Sequence, residues 1–148
     1  NPLTPEARNH ELKVRRGMLT AHLVGGIATV GLLASTVVIG QNMFDRPMDR
    51  GVLLPTHDAL VLASVSAYSV TALLAAFSPP PMLRRREFST ITLHRGLAFV
   101  HLAGIILTPL LGLSLKQALS YDQQLAFHQA AGITTAVALT LSMLVLVF

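Results

Sequence analysis

The stretch GMLTAHLVGGIATVGLLASTVVIGQNMF, residues 17–44, decides the fold because it contains no charged residue. A helix needs about 20 apolar residues to cross the hydrocarbon core of a bilayer. Three further charge-free runs are long enough, at 59–83, 96–115 and 123–148. In lipid, only helices and closed barrels satisfy their own backbone polar groups, and these runs do not alternate in polarity as barrel strands do. The sequence therefore predicts an all-α integral membrane four-helix bundle, with transmembrane helices near 17–41, 56–78, 90–115 and 124–148.

The composition agrees with a membrane protein. Of 148 residues, 52% are hydrophobic and only 12% are charged, whereas a soluble domain carries about a quarter charged residues. The chain has no cysteine, which excludes disulfides, thiolate metal sites, iron–sulfur clusters and covalently attached c-type haem. We expect a polar N-terminal segment at 1–16 and a single membrane domain at 17–148.

Lysine and arginine are distributed unequally about the predicted spans. Eight lie beside one face: Arg8, Lys13, Arg15, Arg16, Arg84, Arg85, Arg86 and Arg95. Three lie beside the other: Arg46, Arg50 and Lys116. The side with more positive charge is normally cytoplasmic, so we expect both termini in the cytoplasm, and the inner membrane of a bacterium as the location. The basic residues are explained by topology and predict no nucleic-acid partner, although the three adjacent arginines could also contact anionic lipid or a partner.

Histidines supply the candidate functional groups. His10 lies in the polar segment, but each predicted span carries one histidine within its first two turns: His22, His57, His94 and His128. Ionisable residues inside a membrane are expensive and usually functional. Because successive spans run in opposite directions, we expect His22 and His94 near the cytoplasmic face and His57 and His128 near the other face. In a square bundle, each pair lies on diagonal helices.

Histidine pairs on diagonal helices favour haem as the bound cofactor. Two imidazoles on opposite sides of the iron hold a haem without covalent attachment. We therefore predict two non-covalent haem b groups, with iron bound by His22 and His94 in one and by His57 and His128 in the other. Arg95 and Arg16 are the expected partners of the haem propionates. The glycines expected to give room for the ring are Gly25, Gly26 and Gly132.

His101 is an alternative ligand. It follows His94 by seven residues and so lies on nearly the same helix face, about 10 Å deeper. Equal depth favours His94 as the partner of His22, and a strongly tilted helix would favour His101. The histidine that is not a ligand would hydrogen-bond a propionate, a quinone or a neighbouring helix.

Two segments resemble known proteins. LHRGLAFVHLAGIILTPLLG at 93–112 and FHQAAG at 127–132 resemble ligand-bearing helices of the cytochrome b-561 family and of the broader group of small four-helix membrane cytochromes b. The resemblance implies a dihaem bundle that passes electrons across a membrane. It also implies the same ligand pairs, with His22 and His94 at the cytoplasmic haem.

We therefore expect transmembrane electron transfer, by a subunit of a larger redox complex or by a chain linked to quinone or to a soluble electron carrier. This describes an electron-transfer subunit of an oxidoreductase complex more than an enzyme acting alone, and no separate catalytic residues are predicted. A bundle with a single haem is an open alternative. A proton or metal transporter is another, and it would favour an unwound helix, for which Pro109 is the only deep proline. A haem-free structural subunit of a membrane complex is the third.

Overall fold

The computed structural model describes residues 4–81 and 89–147, and the regular structure within these ranges is helical. Each of the four long helices is long and apolar enough to cross a membrane. Their bounds are α1 Pro5–Asp45, α2 Arg50–Ala76, α3 Thr90–Leu113 and α4 Tyr121–Val147. Short 3-10 turns occupy Pro47–Asp49 and Leu115–Gln117. The predicted all-α fold with four helices of membrane-spanning length is confirmed. The three adjacent arginines, Arg84, Arg85 and Arg86, lie outside the described residues.

The first helix joins the polar N-terminal segment to the first span without a break. The Thr4 hydroxyl accepts a hydrogen bond from the Ala7 amide at 3.3 Å, and Pro5 takes the first helical position. Both features stabilise a helix start, where the first amides have no partner within the helix. The Thr4 hydroxyl binds one of these amides, and Pro5 has no amide proton that would need a partner. The boundary predicted between residues 16 and 17 is therefore a change in composition inside one helix of 41 residues.

The second helix begins earlier than predicted. The sequence places its start near residue 56, after a polar turn that includes Pro55, but α2 begins at Arg50 and contains Pro55. A proline removes one backbone donor, and here the loss affects only the bond to the Gly51 carbonyl in the first turn, so the rest of the helix keeps its hydrogen bonds. The α2 helix ends at Ala76, before the three prolines at 79–81, as the restriction of residues before proline predicts.

The helices pack in the order α2, α1, α4, α3 around the bundle. The α1 helix packs along α2, α3 packs along α4, and α1 also contacts α4. Within the described ranges, α2 and α3 hardly approach one another. Thus α1 lies diagonal to α3 and α2 lies diagonal to α4, and one side of the bundle is loosely packed.

Polarity inside the bundle is opposite to that of a water-soluble protein. Small polar side chains are the most completely buried, namely Thr29, Ser64, Thr135 and Ser142. Large apolar side chains such as Val24, Leu62 and Phe99 are 62%, 70% and 75% exposed. Lipid gives little drive to bury apolar groups, so membrane helices pack through small residues and hydroxyl groups. The buried Thr29 and Thr135 hydroxyls each donate to a carbonyl of their own helix, at 2.7 and 2.6 Å. This is the arrangement of an integral membrane protein.

The structure also shows an internal repeat that is not evident as repeated sequence. A shift of 72 positions places α1 on α3, and a shift of 71 places α2 on α4. The central apolar cluster consists of two such equivalent pairs, Leu33 with Ile105 and Tyr68 with Leu139. Three further pairs of equivalent positions are buried: Thr29 with His101, Ser64 with Thr135, and Thr71 with Ser142. None of these five pairs consists of identical residues, so the repeat lies in burial and contact.

Close packing of α3 on α4 predicts that Gly104→Ala destabilises the protein. A Cβ at Gly104 would overlap the Thr135 hydroxyl and come within 2.9 Å of the Thr135 Cβ. We expect a loss of about 1–3 kcal/mol in the free energy of unfolding, measured by denaturant titration in detergent. Gly96→Ala is the matched control, because nothing lies within 4 Å of its new Cβ. Equal stability of the two variants would contradict this packing.

Candidate functional site

The first histidine pair joins α1 to α3. The ring centroids of His22 and His94 lie 6.2 Å apart, and the ring planes are inclined by 83°. The His22 Nδ1 lies 2.8 Å from the Thr71 carbonyl oxygen, and the His94 Nδ1 lies 2.8 Å from the Ser142 carbonyl oxygen. A carbonyl can only accept, so each Nδ1 carries the proton and donates. In the neutral ring this leaves Nε2 unprotonated, the form that binds a metal.

The second pair joins α2 to α4 with matching geometry. The ring centroids of His57 and His128 also lie 6.2 Å apart, with the planes inclined by 73°. The His128 Nδ1 donates to the Thr108 carbonyl at 2.8 Å. The His57 Nδ1 is buried and has no hydrogen-bond partner among the described residues. Thr36, the equivalent of Thr108 in the repeat, presents its backbone to the His57 ring.

Glycines lie against the rings of the second pair. A Cβ at Gly40 would come within 3.1 Å of the His57 ring, and a Cβ at Gly112 within 3.0 Å of the His128 ring. These two glycines are equivalent in the repeat, 72 positions apart. A larger side chain at either position would press on the imidazole, so both glycines help to set where the rings lie.

The glycines named from the sequence have other roles. A Cβ at Gly25 would meet the Thr71 hydroxyl at 2.5 Å, and one at Gly132 would meet the Thr108 methyl at 3.4 Å. Both therefore serve helix packing, and a Cβ at Gly26 would meet nothing within 4 Å. The signal that identifies Gly40 and Gly112 is their spacing of 17 and 16 residues from the next histidine.

His101 does not lie in either pair. It is 6% exposed, and its Nδ1 lies 3.0 Å from the Tyr68 hydroxyl oxygen across the loosely packed side of the bundle. Of the two candidates on α3, the structure places His94 beside His22. His101 instead bonds a neighbouring helix, one of the three roles that the sequence left open for it.

Arginines lie near both ends of the bundle. Arg16 and Arg95, the expected propionate partners, are exposed. Arg15 donates to the Ser78 hydroxyl and the Pro79 carbonyl, just after α2. At the other end, Arg50 donates to the Met43 carbonyl at 2.9 Å and to the Tyr121 hydroxyl at 3.2 Å. Arg15 and Arg50 precede His22 and His57 by seven residues each, about 10 Å along a helix.

Two imidazoles at each pair fit a metal whose remaining ligands come from a cofactor. Two imidazoles bound from opposite sides to one metal at about 2.0 Å per bond have ring centroids roughly 6 Å apart. Both pairs show 6.2 Å. Among the described residues, no group of three or more histidine, aspartate, glutamate or cysteine side chains is placed to hold an ion. Each level offers two ligands, as a haem iron with four porphyrin nitrogens requires.

No family model, curated protein or solved structure matches this chain. The geometry of the two pairs is therefore the basis for assigning a function.

The hydrogen bonds of the pairs predict the protonation pattern of the neutral imidazoles. In metal-free protein at alkaline pH, ¹⁵N NMR of the side chains should find the proton of His22, His94 and His128 on Nδ1. His10, which is exposed on the polar part of α1, is the control and should show a mixture of tautomers. Protons on the Nε2 atoms of the paired histidines would contradict the assignment, because those atoms would then be unable to bind a metal.

Proposed function

We propose that this protein is a membrane cytochrome b, similar to the b-561 type, that carries electrons across a bilayer. One haem b is held between His22 and His94, and a second between His57 and His128. The observation that carries the proposal is the pair geometry: two imidazoles from diagonal helices, at the same separation of 6.2 Å, at both levels of the bundle. Two levels of equal geometry favour two haems over one.

Backbone carbonyls orient three of the four proposed histidine ligands. The Nδ1–H of His22, His94 and His128 is held by a backbone carbonyl on a neighbouring helix. Such a bond orients a ligand ring and raises the basicity of its free nitrogen. A bound haem supplies one-electron redox chemistry, while the protein supplies the axial ligands and the low-dielectric surroundings that tune it.

The spacing of the levels suits transfer across the membrane. His57 and Thr71, which contacts His22, are 14 residues apart on α2, or about 21 Å. His128 and Ser142, which contacts His94, are separated by the same number on α4. The hydrocarbon core is about 30 Å thick, so one level lies towards each face.

The bundle offers room and charge for a flat, anionic cofactor. The side where α2 and α3 hardly approach is where the edge of a porphyrin ring would lie. Gly40 and Gly112 keep larger side chains away from the rings of the second pair. The haem propionates need cations near the membrane faces. Arg15 and Arg50, two turns before His22 and His57, join Arg16 and Arg95 as candidates.

The excess of lysine and arginine supports an orientation with both termini in the cytoplasm, and we place the protein in a bacterial inner membrane. Most described residues lie in the four helices, which favours a relay within a larger redox complex, or one that exchanges electrons with quinone or a soluble carrier. A transporter with an unwound helix is less well supported, since α3 continues through Pro109.

The ligand assignment predicts which single substitutions remove haem. His128→Ala should remove one of two haems, and His94→Ala should remove the other, because each loses one axial ligand. His101→Ala should retain both, as should His10→Ala, the control for an exposed histidine. The measurement is the reduced-minus-oxidised b-type spectrum of each variant, purified in detergent and normalised to protein.

Full occupancy of both haems in His128→Ala would show that the pairing is wrong. If His101→Ala loses a haem and His94→Ala loses no haem, His101 and not His94 would be the α3 ligand of the first haem. Folded but colourless wild-type protein would favour a transporter or a structural subunit instead.

A further inference from the structure

A hydrogen-bonded polar pair lies in the core, between the two histidine levels. The Tyr68 hydroxyl and the His101 Nδ1 are 3.0 Å apart, and the two residues are 7% and 6% exposed. Burying such groups in lipid is costly unless they bond one another. The bond joins α2 to α3, on the side of the bundle where these two helices hardly approach.

This pair spans the two halves of the repeat, with Tyr68 on α2 and His101 on α3, and the equivalent positions on α4 and α1 form no such pair. The equivalent of His101 is Thr29, whose hydroxyl donates to the Gly25 carbonyl of its own helix at 2.7 Å. The equivalent of Tyr68 is Leu139, which has no polar group. Since the paired histidines and the other buried positions have counterparts in both halves, the Tyr68–His101 pair is a break in the symmetry at the centre of the bundle.

The tyrosine of this pair lies closer to the first histidine pair than to the second. Tyr68 is three residues from Thr71, which contacts His22, and eleven residues from His57. These separations are about 4.5 and 16 Å along α2. On α3, His101 lies midway, seven residues from His94 and seven from Thr108, which contacts His128. The nearness to the first pair therefore comes from Tyr68.

We propose that Tyr68 and His101 act as positioning residues that make the two haem levels unequal, because the hydrogen-bonded Tyr68 lies nearer to the His22–His94 level than to the His57–His128 level. This inference rests on the proposed haem function. Oxidation adds a positive charge to a haem, and a polar environment stabilises that charge better than an apolar one, so the polar pair lowers the midpoint potential. The first haem then differs from the second in potential although both have two histidine ligands.

Tyr68→Phe tests the inference, because it removes only the hydroxyl. It is introduced into His128→Ala protein, which retains the first haem, and into His94→Ala protein, which retains the second. We expect the midpoint potential of the first haem to rise by at least the equivalent of a threefold change in its redox equilibrium, about 28 mV for one electron. The second haem should not change. His101→Leu, made in the same two proteins, should give the same selective rise.

Thr29→Val is the matched control, since it removes a buried hydroxyl at the equivalent position of the other half and should leave both potentials unchanged. If the single-haem proteins fold poorly, redox titration of Tyr68→Phe in the two-haem protein should show one component shifted and the other fixed. Unchanged potentials, or equal shifts at both levels, would overturn this inference while two bound haems would still support the proposed function. Wild-type protein without haem would overturn the proposed function itself.

Discussion

The bond between an imidazole Nδ1–H and a backbone carbonyl of the adjacent helix is the contact on which the arrangement of the site depends. The core of a bilayer holds no water, so a hydrogen-bond partner for a buried imidazole has to come from the protein, and three of the four paired histidines have one. His22 finds it at Thr71 and His128 at Thr108, each at 2.8 Å. The same bond ties two helices together, fixes the orientation of the ring and leaves Nε2 for a metal.

These bonds lie within the hairpins, and the histidine pairs lie between them. The α1–α2 hairpin contributes His22 to one level and His57 to the other, and the α3–α4 hairpin contributes His94 and His128. One hairpin therefore holds half of each site, and two must associate before either site is complete. The hairpins contact one another mainly through α1 and α4. A cofactor held between the two histidines of each pair would add contacts between the hairpins, where the protein itself provides few. Cofactor binding should therefore stabilise the bundle.

Much of the architecture follows from sequence because its causes are local. Charge-free runs of sufficient length define the four helices, and alternating direction places His22 level with His94 and His57 level with His128. The early start of α2 is missed, since Pro55 indicates a helix boundary, whereas in the structure it costs only the bond to the Gly51 carbonyl in the first turn. Contacts between helices are missed for a different reason. The roles of Gly40, Gly112 and Tyr68 depend on which residue lies opposite, and helical periodicity within one segment does not contain that information.

The most direct test of the account is the molar ratio of haem b to polypeptide in the unmodified protein, purified from haem-replete cells and measured by pyridine haemochrome absorbance with quantitative amino-acid analysis. Paired imidazoles at both levels predict two haems per chain. A four-helix protein that is folded by circular dichroism, and that neither retains haem on purification nor takes it up on titration, would contradict the account.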